Sequence, residues 1–163
     1  MDRHYEESTL ISASPETLFA YIDDHTRFSS HMNESSWMMG GGTMHVSVDA
    51  GRGQEVGSHI RMTGTAFGIR LFLDEVVTRR DPPFVKTWET VDIPKLLVIG
   101  SYRMSIEITP KDSGSLLRVR IDYDLPTTNV WLGRLFGGMY ARWCVRRMIK
   151  DARTYFDTKS LRA

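Results

Sequence analysis

Tyr140-Ala141-Arg142-Trp143-Cys144-Val145-Arg146-Arg147-Met148-Ile149-Lys150-Asp151-Ala152-Arg153-Thr154-Tyr155-Phe156-Asp157 is the stretch on which the fold turns. Ala141, Cys144, Val145, Met148, Ile149, Ala152, Tyr155 and Phe156 recur at the spacing of one helix face, while Arg142, Arg146, Lys150, Arg153 and Asp157 take the other. A helix of about 20 residues spans ~30 Å, enough to cross a sheet. Helical character extends back to residue 129 but meets Gly137-Gly138. At 100° per residue, Leu132, Leu135, Phe136, Met139 and Trp143 fall on a second stripe roughly opposite the first, and one straight helix cannot bury both against one sheet. Paired glycines cost about 2 kcal/mol in a helix interior, so a break there is expected, with the grip on the sheet starting at Tyr140. An unbroken helix would instead leave Phe136, Met139 and Trp143 as a homodimer, partner or peripheral membrane surface.

Upstream, from Trp37 to Pro126, the period is two. Met44, Val46 and Val48 alternate with His45, Ser47 and Asp49, and Ile60 and Met62 with His59, Arg61 and Thr63. Leu71, Leu73 and Val77 share a parity with Glu75. Phe84–Val91 is a strand whose facing the pattern leaves open, and with it the facing of Trp88. Tyr102, Met104, Ile106 and Ile108 form one inward face; Leu117, Val119, Ile121 and Tyr123 form another, after the turn at residues 110–114. Six such strands, added to a first one over residues 5–12, need a covering layer, and the C-terminal helix is the only large candidate. Between strand 1 and the rest, Ser14-Pro15-Glu16 starts a short helix with an N-cap, a proline at its first position and an acid in its first turn. Asp24 is read as the cap of a second, carrying Phe28 and Met32. The class is α+β: a curved antiparallel sheet of about seven strands around a long C-terminal helix, with two short helices after strand 1.

The length of 163 residues fits one domain over 1–163, able to bury roughly 70% of its unfolded surface without metal or disulfides. The one cysteine, Cys144, and the polar start Met1–Glu7 point to the cytoplasm. Residues 130–163 carry 8 basic and 2 acidic side chains against 13 and 18 before them, so the terminal helix is basic on an acidic body. The ordinary reading is a solvated face; nucleic-acid binding is not expected, since no recognition motif accompanies it.

The order of elements, together with Ile11-Ser12-Ala13-Ser14-Pro15-Glu16-Thr17-Leu18-Phe19-Ala20-Tyr21-Ile22-Asp23-Asp24, Glu75-Val76-Val77 before Asp81-Pro82-Pro83, Trp88, and Tyr123 before Leu125-Pro126, resembles the START-like (SRPBCC) superfamily of the polyketide cyclase/dehydrase and lipid-transport type. The resemblance implies the helix-grip fold and a deep, mostly apolar cavity between helix and sheet for lipids, polyketides or other hydrophobic molecules. It brings no shared catalytic motif, so it does not deliver a reaction.

Candidate ligand-binding residues are those at inward parity or on the inner helix face: Leu73, Glu75, Trp88, Tyr102, Met104, Ile121, Tyr123, Tyr140, Cys144 and Met148. A tyrosine hydroxyl in an apolar cavity can donate to a carbonyl, although buried tyrosines more often only fill space. A carboxylate there would have its pKa raised and could accept a proton. A bulge would turn Glu75 outward, and outward or salt-bridged is the expectation for it. His45, His59 and Arg61 fall on polar parities and are expected at the solvent face. The histidines lack metal-ligand spacing, no cofactor motif is present, and Cys144 among apolar neighbours reads as an inert thiol. Three functions follow: binding or transport of a hydrophobic small molecule, a cyclase, aromatase or dehydratase using cavity Tyr, His or Glu groups, or a docking module on the basic helix.

Overall fold

In the computed structural model, residues 1–25 and 42–160 are described. The expected second short helix with Phe28 and Met32 lies outside them. Strand β1 (Arg3–Ile11) leads into helix α1 (Pro15–Asp23), which starts as expected: Ser14 Oγ accepts the Thr17 N–H at 3.3 Å and Pro15 opens the first turn. Asp24 serves as the C-cap of this helix. Strands β2 (Met44–Val48), β3 (His59–Ala66), β4 (Ile69–Asp81), β5 (Val85–Lys95), β6 (Tyr102–Lys111) and β7 (Gly114–Tyr123) follow, and helix α2 (Val130–Ser160) closes the chain.

The seven strands form one antiparallel sheet in the order β1-β7-β6-β5-β4-β3-β2. Every neighbour is adjacent in sequence except β1, which the terminal strand β7 pairs from end to end (Arg3 opposite Tyr123, Ile11 opposite Ser115). Alternation sets the inner face: Ile60, Leu73, Val77, Ile106, Leu117, Val119 and Ile121 are buried, and the intervening positions carry charge pairs such as Arg118–Glu6 and Arg103–Glu89. β5 resolves the open facing, with Lys86 and Trp88 inward and Phe84 exposed.

Helix α2 lies against β1 and β7 and meets α1 near its end, where Tyr21 and Tyr155 stack at 4.4 Å. Ala141, Cys144, Val145, Met148, Ile149, Ala152 and Phe156 are its buried face. The expected break at Gly137-Gly138 is absent: α2 is continuous through the pair. The reason is close approach. A Cβ on Gly133 would lie 2.3 Å from Pro126 Cδ, and one on Gly137 would lie 2.9 Å from the Val98 carbonyl oxygen. Gly133, Gly137 and Ala141 thus extend the inner face one helical turn at a time, and the helix grips the fold well before Tyr140. The second stripe is left outside: Leu135, Phe136 and Met139 are exposed, and Trp143 is half-buried.

Candidate functional site

Where α2 spans the inner face, a gap remains between Cys144 and Met148 on the helix and β2 to β7 beneath. Met44, Met62, Leu71, Leu73, Glu75, Trp88, Leu96, Ile99, Tyr102, Met104, Ile121, Tyr140, Cys144 and Met148 line it. About 50 Å³ is open to the centres of water-sized molecules. That is far below the ~300 Å³ at which typical ligand pockets begin, so a ring system fits only if the lining side chains move. Four of the lining side chains are methionines, whose unbranched thioethers repack at small cost. Leu71 and Leu96 also wall an open groove of about 480 Å³ beside Ile69, Ile93, Leu97 and Pro126, so these two side chains border both spaces.

The walls are apolar except at one end. Glu75, expected outward, points in and is 1% exposed. β4 does bulge, with one extra residue between Val77 and Arg79, and opposite Phe72–Asp74 the extra residues lie on β5 between Val91 and Lys95; the alternation of β4 from Leu71 to Val77 stays intact. Tyr102 Oη donates to Glu75 Oε1, while Glu75 Oε2 is buried without a hydrogen-bond partner. Burial pushes the Glu75 carboxyl up to about 7, against hydrogen bonds from Tyr102 and Trp88 that favour its charged form. The same burial, with the Glu75 charge, holds the Tyr102 hydroxyl well above its ordinary range. Across the cavity Tyr140 and Cys144 hydrogen-bond each other, and burial pushes the Cys144 thiol up to about 12, which keeps it protonated and unreactive.

Behind Trp88 lies a second polar group that the alternation pattern did not reveal. Lys86, 0% exposed, donates from Nζ to Asp23 Oδ1 at 2.8 Å and to the Asp23 carbonyl at 3.1 Å, and lies 3.1 Å from His25 Nδ1. Arg80 closes the far side of Asp23 at 2.8 Å. Burial works against the Asp23 charge, but the hydrogen bonds from Arg80 and Lys86 outweigh it and hold the carboxyl below its usual range. Burial, with Lys86 beside it, keeps His25 neutral far below the ordinary histidine range. Its ring meets Trp88 edge to face at 4.8 Å. This cluster fixes the end of α1 to β4 and β5 and holds Trp88 in place; its cation is spent before it reaches the cavity.

Of the ten residues singled out in the sequence, nine line this one cavity: Leu73, Glu75, Trp88, Tyr102, Met104, Ile121, Tyr140, Cys144 and Met148. Tyr123 does not. It is buried below the helix glycines, with its ring 3.5 Å from where a Gly137 Cβ would stand. Met44, Met62, Leu71, Leu96 and Ile99 complete the lining; Met44, Met62 and Leu71 carried the inward parity, and the unbroken apolar run Leu96–Ile99 in a connection was the signal for the rest. His45 is exposed, and His59 and Arg61 pair with Asp74 on the outer face at 2.9 and 3.1 Å. Among the described residues no three His, Cys, Asp or Glu side chains converge as metal ligands, and no helix is long and apolar enough to cross a membrane.

A family profile described as polyketide cyclase/dehydrase and lipid transport matches residues 2–154. Similar solved structures include the di-domain ARO/CYC StfQ from the steffimycin biosynthetic pathway (11% identity, TM-score 0.71, 96% of this chain and 51% of that one). A protein from Thermus thermophilus is similar at 14% identity and TM-score 0.66, covering 97% of this chain and 99% of that one. Major latex-like protein 151 of Panax ginseng is similar at 16% identity and TM-score 0.56, covering 93% and 97%. The chain spans about half of the StfQ chain. No curated protein sequence matches the chain. At these identities the structural likeness is one of fold.

Proposed function

Because the chain belongs to the polyketide cyclase/dehydrase and lipid transport family, we propose that it binds a hydrophobic small molecule in the cavity between α2 and the sheet. The observation that supports this reading most is the lining itself: an almost wholly apolar wall rich in methionine, with polar groups gathered at Glu75 and Tyr102. A ring system enters past Leu71 and Leu96 and seats against Met44, Met62, Met104 and Met148, which shift to admit a larger guest. Binding gains come from apolar area removed from water, at about 25 cal/mol per Å² before the cost of association. Titration calorimetry with the neutral probe N-phenyl-1-naphthylamine tests it. One molecule per chain is expected, with binding weakened at least tenfold in Leu73→Phe and in Cys144→Leu, which fill the cavity. Unchanged binding in both folded variants would refute the assignment.

One observation favours a reaction as well. A fully buried carboxyl that titrates near 7 beside a tyrosine hydroxyl is suited to taking a proton from carbon next to a ligand carbonyl and returning it. Exchange of the α-hydrogens of 1-tetralone in D₂O, followed by proton NMR, would then be faster with the protein than with Glu75→Gln. Equal rates would leave binding alone.

A further inference from the structure

We propose that this cavity selects uncharged hydrophobic molecules bearing a carbonyl or hydroxyl oxygen, seated on Glu75 Oε2, and rejects their carboxylate counterparts. The inference rests on the cavity being the ligand site and adds which head group that site takes. Among the described residues, no Lys, Arg or His lines the cavity. The polar atoms present are largely spent on each other: Tyr102 Oη on Glu75 Oε1, the Trp88 N–H on the same carboxyl group, and Tyr140 on Cys144. Glu75 Oε2 remains, fully buried and unpartnered, and a buried polar atom in that state calls for a partner from the guest.

The chemistry at that oxygen sets the class. With Tyr102 on Oε1, a protonated Glu75 carries its proton on Oε2 and donates it to a carbonyl; an ionised Glu75 accepts there from a hydroxyl. Among the described residues a ligand carboxylate finds no cation in the cavity wall. Lys86, whose charge acts on Glu75, is held by Asp23 and His25 behind Trp88, and Arg80 is held by Asp23 in turn. Burying a carboxylate beside Glu75 therefore meets desolvation, and like charge wherever Glu75 is ionised; below about 7 the Glu75 proton returns one hydrogen bond but not the lost hydration of a full charge. Among the described residues, the groups that face Glu75 or act on its charge are Asp74 on its own strand, Lys86 and Trp88 of β5, Tyr102 of β6, and Tyr140 and Cys144 of α2; of the described lining, Glu75 alone adds a charge to the cavity wall.

Calorimetry at pH 6 with naphthalene, 1-tetralone, 2-naphthol and 2-naphthoate compares a bicyclic frame bare and with three head groups. The expected result is that 1-tetralone and 2-naphthol bind at least fivefold tighter than naphthalene, and 2-naphthoate at least tenfold weaker than 2-naphthol. In Glu75→Met the advantage of 2-naphthol over naphthalene should fall to within twofold. Should that variant not fold, Glu75→Gln, which keeps hydrogen-bonding capacity, should retain the advantage. Equal affinity for naphthalene and 2-naphthol, or 2-naphthoate within threefold of 2-naphthol, overturns the head-group inference while leaving the cavity as the binding site. Binding of none of the four overturns the cavity reading and this inference with it.

Discussion

Glu75→Gln should make the protein more stable at pH 8 than at pH 5, relative to wild type. The wild-type carboxyl has an ordinary value of 4.5 and is pushed up to about 7 by burial in the cavity wall. Below 4.5 both folded and unfolded chains hold the proton, and Glu75 adds no pH dependence. Between 4.5 and 7 the unfolded chain ionises while the folded chain stays protonated, so the folded state binds more protons and its stability falls as pH rises. Above 7 both are ionised and the penalty is constant. At about 1.4 kcal/mol for each tenfold in proton affinity, the full penalty is about 3 kcal/mol, of which about 2–3 kcal/mol develops between pH 5 and pH 8. Glutamine keeps an oxygen for the Tyr102 hydroxyl and has no charge to lose, and any fixed cost of the substitution cancels in the pH difference. Urea unfolding of both proteins at pH 5 and pH 8 measures it directly; in thermal scans the gap corresponds to roughly 5–10 °C for a chain of this length. If the two stability differences agree within about 0.5 kcal/mol, Glu75 does not titrate as a buried, uncompensated acid, and the electrostatic account of the cavity is wrong.

Lys86→Met strips the buried ammonium from Asp23 and His25, and leaves Asp23 with Arg80 alone. Loss of about 3 kcal/mol in urea unfolding is expected, the low end for breaking a buried pair, and a loss under about 1 kcal/mol would show the cluster to be dispensable. The helix glycines should respond in opposite directions. Gly138→Ala adds a methyl whose nearest neighbour, Tyr123 Oη, is 3.6 Å away, and should stabilise by about 0.5–1 kcal/mol through helix propensity. Gly133→Ala drives its methyl into Pro126 and should lose at least about 1 kcal/mol. The same gain at both sites would mean that α2 does not sit this close to the loops beneath it.

The sheet was legible because alternation is a local signal: the inward faces of β2, β3, β6 and β7 follow directly from parity. The inner face of α2 was legible for the same reason, from its 3.6-residue period. What failed was everything decided by another segment's backbone. Gly137-Gly138 carries the propensity of a helix break, and only the nearness of Pro126 and Val98 shows why glycines stand inside this helix. Glu75 carries the parity of a core residue and the chemistry of a surface one, and its facing depends on where the irregularities fall along the β4–β5 ladder. Lys86 reads as a surface lysine because its partners, Asp23 and His25, lie more than 60 positions away at the end of α1. The cavity residues were found through parity; their polar order, with Glu75 and Tyr102 joined and Lys86 withheld, needed the register of three strands.

The most direct measurement is a carbon-13 methyl-methionine NMR titration of the whole chain with 2-naphthol. A guest held between α2 and the sheet must touch Met44, Met62, Met104 and Met148, whereas Met139 lies on the outer face of the helix. The account predicts saturable shifts of the four cavity methyls at one equivalent, with Met139 unmoved. Shifts confined to Met139, or none at all, would contradict it.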